Sequence, residues 1–209
     1  MQGETQMDII VWCADIGSVK GKKFGWCRSD GKSFVEGTDI VEFCRGIAKD
    51  LSAGIKVALG LECPLFVPVS ENPLLLTSSR YGEGDRAWSA RAGCGALCTG
   101  LTESVFILNE VYKQTSLPIQ PTFKWNDFLD GQMNLFLWEA FVSKEAKGIS
   151  HSGDAKIAVQ SFMRHYPKIL EANAVTVESA YNLVAGAMLR TGLSQDIKLL
   201  SEPCIVIKG

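Results

Sequence analysis

The chain has little histidine, no C-x-x-C pair, no long apolar run and no excess of positive charge, and each lack removes a class of function. His151 and His165 are its two histidines, and its seven cysteines are scattered, so a zinc framework lacks ligands at the usual spacing. Cys94 and Cys98 lie four apart, with no second pair or neighbouring histidine to complete a metal site. An odd number of dispersed thiols predicts a reduced, cytoplasmic protein rather than a disulfide scaffold. The opening MQGETQ is polar, without the basic region and roughly 7–15-residue apolar core of a signal peptide. No apolar run approaches the ~20 residues that span a bilayer, so no membrane partner is expected. With 21 basic against 23 acidic residues there is no global positive field, and a nucleic-acid partner has to be held by a local patch. Internal repeats, heptad seams and low-complexity tracts are also absent.

What is present is apolar content: 46% of 209 residues, enough to bury a sizeable core in one domain spanning 1–209. The run DIIVWCADIGSVKGKKFGWCRS reads as a strand over 9–14, a basic loop and a returning strand over 24–28. A third short strand near 33–35 follows the Asp30-Gly31 turn and extends the hairpin into a meander. Apolar Ile40, Val41, Cys44, Ile47, Ala48 and Leu51 recur at helical spacing over 38–51, behind Thr38 as cap. IKVALGL, 55–61, is the next buried strand. A strand, a crossover helix and another strand place the new strand parallel to an earlier one. If its partner is the first strand, Asp15 and Glu62 stand at the carboxyl ends of adjacent parallel strands, where open α/β sheets bind ligands.

Residues 64–133 read as an inserted loop and helical lid, with helical pattern over 85–101 and 102–114. A further buried strand is predicted over 134–142 and helices over 152–166 and 177–191, the last stopped by Gly192. Residues 204–207 read as a short edge strand. Three acids then need weighing together: Asp15, Glu62, and Asp154 in the first turn of a late helix. Carboxylates that converge at one sheet end suit a hard divalent cation such as Mg²⁺ or Mn²⁺. Each also has a plainer reading: Asp15 and Glu62 as turn residues, Asp154 as a helix-start acid favoured by the dipole. Glu178 is a reserve ligand with the same plain reading, and Glu139 reads as a strand-end residue facing solvent or a salt partner. Cys63, with no histidine beside it, reads as packing.

The order of elements resembles the RNase H fold: a mixed α/β sheet with a three-strand meander, then parallel strands with crossover helices, here with a helical insertion. Asp15-Ile16-Gly17-Ser18 is similar to the first-strand signature of the Holliday junction resolvases in that superfamily, and Glu62 matches their second acid. His151-Ser152-Gly153-Asp154-Ala155 resembles their helix-start motif. Where the resolvases carry a proline this chain has Ile16, and their two final-helix acids are represented by His151 and Asp154. A closer resemblance is to an uncharacterised family of predicted RNase H-like nucleases, through Gly25-Trp26 in the second strand and an arginine-rich helix after the second acid, as in Arg80 to Arg91.

That resemblance implies a nuclease with Mg²⁺ or Mn²⁺ as cofactor. In it Asp15 bridges two ions, Glu62 and Asp154 each hold one, and His151 assists proton transfer or product release. Ser18 and Lys23 in the loop after Asp15, with Arg80, Arg86 and Arg91, are the candidate substrate contacts, since arginine grips phosphate bidentately. The arginines also suit surface pairing with Glu83 and Asp85, and Trp88 suits either a base stack or the core. Two other functions compete: a non-hydrolytic nucleotide- or partner-binding module on the same fold, and a phosphoryl-transfer ATPase. The latter rests on the likeness of the DxGS fragment to the phosphate turn of the actin and sugar-kinase ATPases, which are built from two such domains.

Overall fold

The structure, a computed structural model, describes residues 8–84, 87–142 and 147–209. Its centre is β1 (Ile9–Asp15), buried at every position, as an unbroken apolar strand covered on both faces must be. β2 (Gly25–Ser29) pairs antiparallel with β1, and β3 (Phe34–Gly37) antiparallel with β2. α1 (Ile40–Ser52) then crosses over and β4 (Lys56–Glu62) returns parallel to β1. The α1 cap is Asp39 rather than Thr38: the Asp39 carboxylate accepts the Val41 and Glu42 N–H groups at 2.6 and 3.1 Å.

Beyond β4 come β5 (Phe66–Pro68), α2 (Arg91–Gln114), β6 (Pro121–Thr122), α3 (Trp125–Leu129) and β7 (Leu135–Phe141). The chain ends with α4 (His151–His165), β8 (Ala180–Asn182), α5 (Leu183–Thr191) and β9 (Val206–Lys208). The mixed sheet runs β3-β2-β1-β4-β7-β6, and β9 also pairs with β7. β1, β4, β7, β6 and β9 are mutually parallel where they pair.

Alternation along β1 sorts the core into two layers. Ile10, Trp12 and Ala14 pack with α1, α2 and α5, whereas Ile9, Val11 and Cys13 pack with α3 and α4. On the first face Trp12, Trp26 and Phe43 form an aromatic knot with centroids 5.3–6.2 Å apart. Trp12 Nε1 donates to Asp50 Oδ2 at 2.9 Å and Arg28 Nε to the same oxygen at 3.0 Å, which satisfies the indole and the carboxylate together.

Three expectations for the later half are corrected. The helical pattern over 85–114 is one 24-residue helix starting at Arg91 rather than two, because Gly93 and Gly95 lie within its first turns and are carried by the helix. The region 64–133 is not wholly a lid, since it supplies α3 and β6, which pairs with β7, and β5, which pairs with β8 in a separate two-stranded ladder. That ladder takes residues 180–182, so the last helix begins at Leu183 rather than near 177, with Asn182 Oδ1 accepting the Ala185 N–H at 2.9 Å. Among the described residues no helix is long and apolar enough to cross a membrane.

Candidate metal centre

Asp15 and Glu62 are direct register partners at the ends of β1 and β4. Neighbouring strands lie about 4.8 Å apart, so the ladder itself sets how close the two carboxylates stand. Both belong to the Val11–Ala58 and Cys13–Gly60 side of the pair, the face covered by α4. The head of α4 is fixed by Ser150, whose hydroxyl accepts the Gly153 N–H at 3.1 Å. It lies directly on Gly25 of β2: a Cβ there would stand 2.3 Å from Ser152 N and 2.4 Å from the His151 carbonyl carbon. Gly25, the register partner of Asp15, is therefore what lets the helix head reach the strand ends. One carboxylate oxygen each from Asp15, Glu62 and Asp154 consequently fall within 4.8 Å of one another.

His151 Nδ1 lies 2.5 Å from Asp15 Oδ2, with the ring half-exposed. Asp154 Oδ1 accepts the Gly148 N–H at 2.5 Å, and Lys147 Nζ stands 3.4 Å from Asp154 Oδ2. Burial pushes the Asp15 carboxyl above the usual carboxylate range; His151 and Lys147 pull it back and Asp154 pushes it further up. A trio of oxygen donors, two of them buried and repelling one another, has the chemistry of a hard-cation site. The trio can hold a metal ion, whose charge would offset that repulsion.

Asp15 and Glu62 open into a cleft of about 550 Å³ bounded by the strand ends, the Ile16–Lys23 loop, the first turns of α2 and His151. Ser18 and Lys23 line it, and the Ser18 hydroxyl accepts the Gly21 N–H at 3.1 Å. Arg80 does not reach it. Its side chain is wholly buried and donates to Glu83 Oε1 at 2.9 Å, to both Glu139 oxygens at 2.7 and 2.6 Å, and to the Phe66 carbonyl at 3.2 Å. Arg80 is thus a core ion-pair residue with no N–H free to grip phosphate from solvent. Arg91 is exposed at the head of α2, outside the cleft lining, and Arg86 lies outside the described residues.

Of the two readings of Glu139, the salt partner holds: it is buried and paired with Arg80. It pairs in register with Leu61, one residue before Glu62, and so points to the opposite face, where Arg80 meets it. Glu178 is exposed, precedes β8 rather than opening a helix, and stands outside the carboxylate trio. Trp88 is half-buried and ties its loop down through Nε1 to the Ser78 carbonyl at 2.9 Å. Cys63 is packing, as expected: Gly100 of α2 sits against its sulfur, and burial pushes the thiol well up.

One residue escaped the sequence reading. Glu103 on α2 accepts the Gly17 N–H, and burial pushes its carboxyl up to about 7, with Asp15 adding to the rise. Its helical spacing from Ala92, Ala96 and Thr99 was a signal, for these share the helix face that lines the cleft. The chain matches no protein-family model, no curated protein and no solved structure.

Proposed function

We propose that this protein is a divalent-metal-dependent phosphodiester hydrolase, a nuclease of the RNase H-like kind, with Mg²⁺ or Mn²⁺ as its ion. The observation that carries the reading is the meeting of Asp15, Glu62 and Asp154 from β1, β4 and α4 within 4.8 Å. The meander, the parallel crossover to β4 and the acid-bearing head of α4 support it as the arrangement that the RNase H-like resemblance implies. Bound there, a divalent cation would activate a water and stabilise the leaving oxygen of a phosphodiester.

The protein's own groups divide the remaining work. Asp15 is held by His151, whose half-exposed ring stands at the cleft to pass a proton. Lys23 draws a phosphate to the mouth. Glu103 fixes the turn after Asp15 through the Gly17 N–H. The test is Mn²⁺ calorimetry alongside hydrolysis of labelled DNA, RNA and hybrid substrates. Wild type is expected to bind Mn²⁺ and cleave at least one polymer, and Asp15→Asn to lose both; cleavage that survives in Asp15→Asn would sink the proposal.

A further inference from the structure

β3 is the outermost strand of the mixed sheet, and among the described residues its far side pairs with no other strand. Phe34, Val35 and Glu36 are exposed along it. A bare edge is a template for another strand, and proteins ordinarily guard it with proline, a bulge, charge or brevity. β3 has no proline, and its register with β2 runs without a bulge from Trp26–Gly37 to Ser29–Phe34. The turn before it is pinned: Asp30 Oδ1 accepts the Lys32 and Ser33 N–H groups at 2.9 Å each, and the Ser29 hydroxyl donates to the Ser33 carbonyl at 2.7 Å. The edge is therefore already set in place for a partner. Its guards are its four-residue length and two charges, Lys32 and Glu36, which are of opposite sign.

Those signs repel a second copy in some registers and attract it in one. Pairing two β3 edges antiparallel about a two-fold centred on Lys32, or on Glu36, sets like charges face to face. Centred on Phe34, the same pairing sets Lys32 of each copy opposite Glu36 of the other, twice over by symmetry, with Phe34 against Phe34 between them. Strand alternation puts these three positions on one face, the side of α4. There Lys156 Nζ bonds Glu36 Oε1 at 2.7 Å and stands 5.4 Å from the Phe34 ring centroid. That bond leaves Glu36 Oε2 for the incoming lysine. Beside Phe34 the surface forms a hollow of about 510 Å³, lined also by Ile157, Gln160, Met163 and Arg164. The Phe34 ring of a second copy, directly across the two-fold, meets the rim of that hollow and adds apolar contact to the two charge pairs.

We infer that two copies of this chain associate through β3, antiparallel and centred on Phe34, so that the mixed sheet continues across the two-fold. The contact is small beside the ~1,200–2,000 Å² of a stable interface, so a dissociation constant of about 10–100 µM is expected. Sedimentation velocity of the full chain from about 2 to about 300 µM reads it. Lys32→Glu sets acid against acid in both pairs and is expected to weaken association at least about fivefold. Glu36→Lys sets lysine against lysine, with the same expectation. An equimolar mixture of the two variants restores opposite charges at all four positions and is expected to associate at least as tightly as wild type. That rescue is one that loss of the Glu36–Lys156 bond or a damaged fold would not produce, and melting temperatures report the fold of each variant. Wild type that stays monomeric at the highest concentration, or Lys32→Glu that dimerises as wild type does, would overturn the inference. So would a mixture that associates no better than its components. If Glu36→Lys fails to fold, Lys32→Glu alone decides.

Discussion

Replacing Arg80 with methionine removes the guanidinium from a site where it and both its acid partners are almost sealed, with side-chain exposures of 0%, 0% and 1% for Arg80, Glu83 and Glu139. Glu83 keeps the Arg80 and Trp88 backbone N–H donors at 2.7 and 3.1 Å. Glu139 keeps the Leu65 N–H at 2.9 Å, so the loss falls chiefly on it. Breaking a buried pair from one side costs about 3–5 kcal/mol, a large share of a typical ~5–15 kcal/mol total. For a chain of this size that is a fall of roughly 6–20 °C in Tm. Burial raises the Glu139 carboxyl and Arg80 is the first force pulling it back, so in Arg80→Met it rises further. A folded-state carboxyl pKa above the unfolded value of about 4.3 adds stability that is complete below that value and lost as pH climbs through the folded one. The deficit of Arg80→Met should therefore be larger at pH ~8 than at pH ~5. Urea unfolding at both pH values measures it, and Arg80→Met/Glu139→Gln should recover part of the loss. A cost under about 1 kcal/mol, the scale of a surface pair, would refute the buried-pair argument.

The half-buried Glu103 carboxyl, pushed up to about 7 by burial first, gives a second pH test. A rise of that size is worth about 3 kcal/mol for a sealed group and about half as much for one this exposed. Because the folded value is raised, chelator-treated wild type should lose about 1–2 kcal/mol relative to Glu103→Gln as pH rises from ~5 to ~8, read by urea unfolding. Gly95→Ala should stabilise the fold by about 0.5–1 kcal/mol, seen as a higher melting temperature, because its Cβ enters open space. Native thiol titration at mildly alkaline pH should count two fast groups, Cys94 and Cys98, which are exposed. Cys27 and Cys44 are pushed by burial to about 12, and Cys13, Cys63 and Cys204 well up, so all five should react only on unfolding.

What the sequence disclosed about this molecule is what local pattern controls. The apolar run ending at Asp15, the α1 periodicity and the β-branched run ending at Glu62 give the meander and the crossover, and the crossover brings two acids together. Asp154 was legible because an acid suits the first turn of a helix, where the dipole favours it. Arg80 was misread because its role depends on Glu139, 59 residues away, and charged residues in a loop ordinarily face water. For Glu139 the choice between solvent and a salt partner stayed open for want of register: a one-position offset from Glu62 reverses its face, and only the pairing of β7 with β4 fixes that offset. The end of the chain went astray because the three-residue β8 is held by β5, more than a hundred positions earlier, against local helical pattern.

The ladder pairing Asp15 with Glu62 also separates what in this chain is free to vary in length from what is not. The gap between the two carboxylates is a repeat distance of the sheet and owes nothing to the 46 residues between them. Lengthening the exposed turn around Gly31 or the one around Gly54 should leave the acids facing each other. Inserting a single residue within Ile9–Asp15 or Lys56–Glu62 would turn one acid to the far side of the sheet and dismantle the centre. An insertion scan across the first sixty-two positions would thus trace the two strands as a pair of sharp intolerant bands, with permissive stretches at the turns between them.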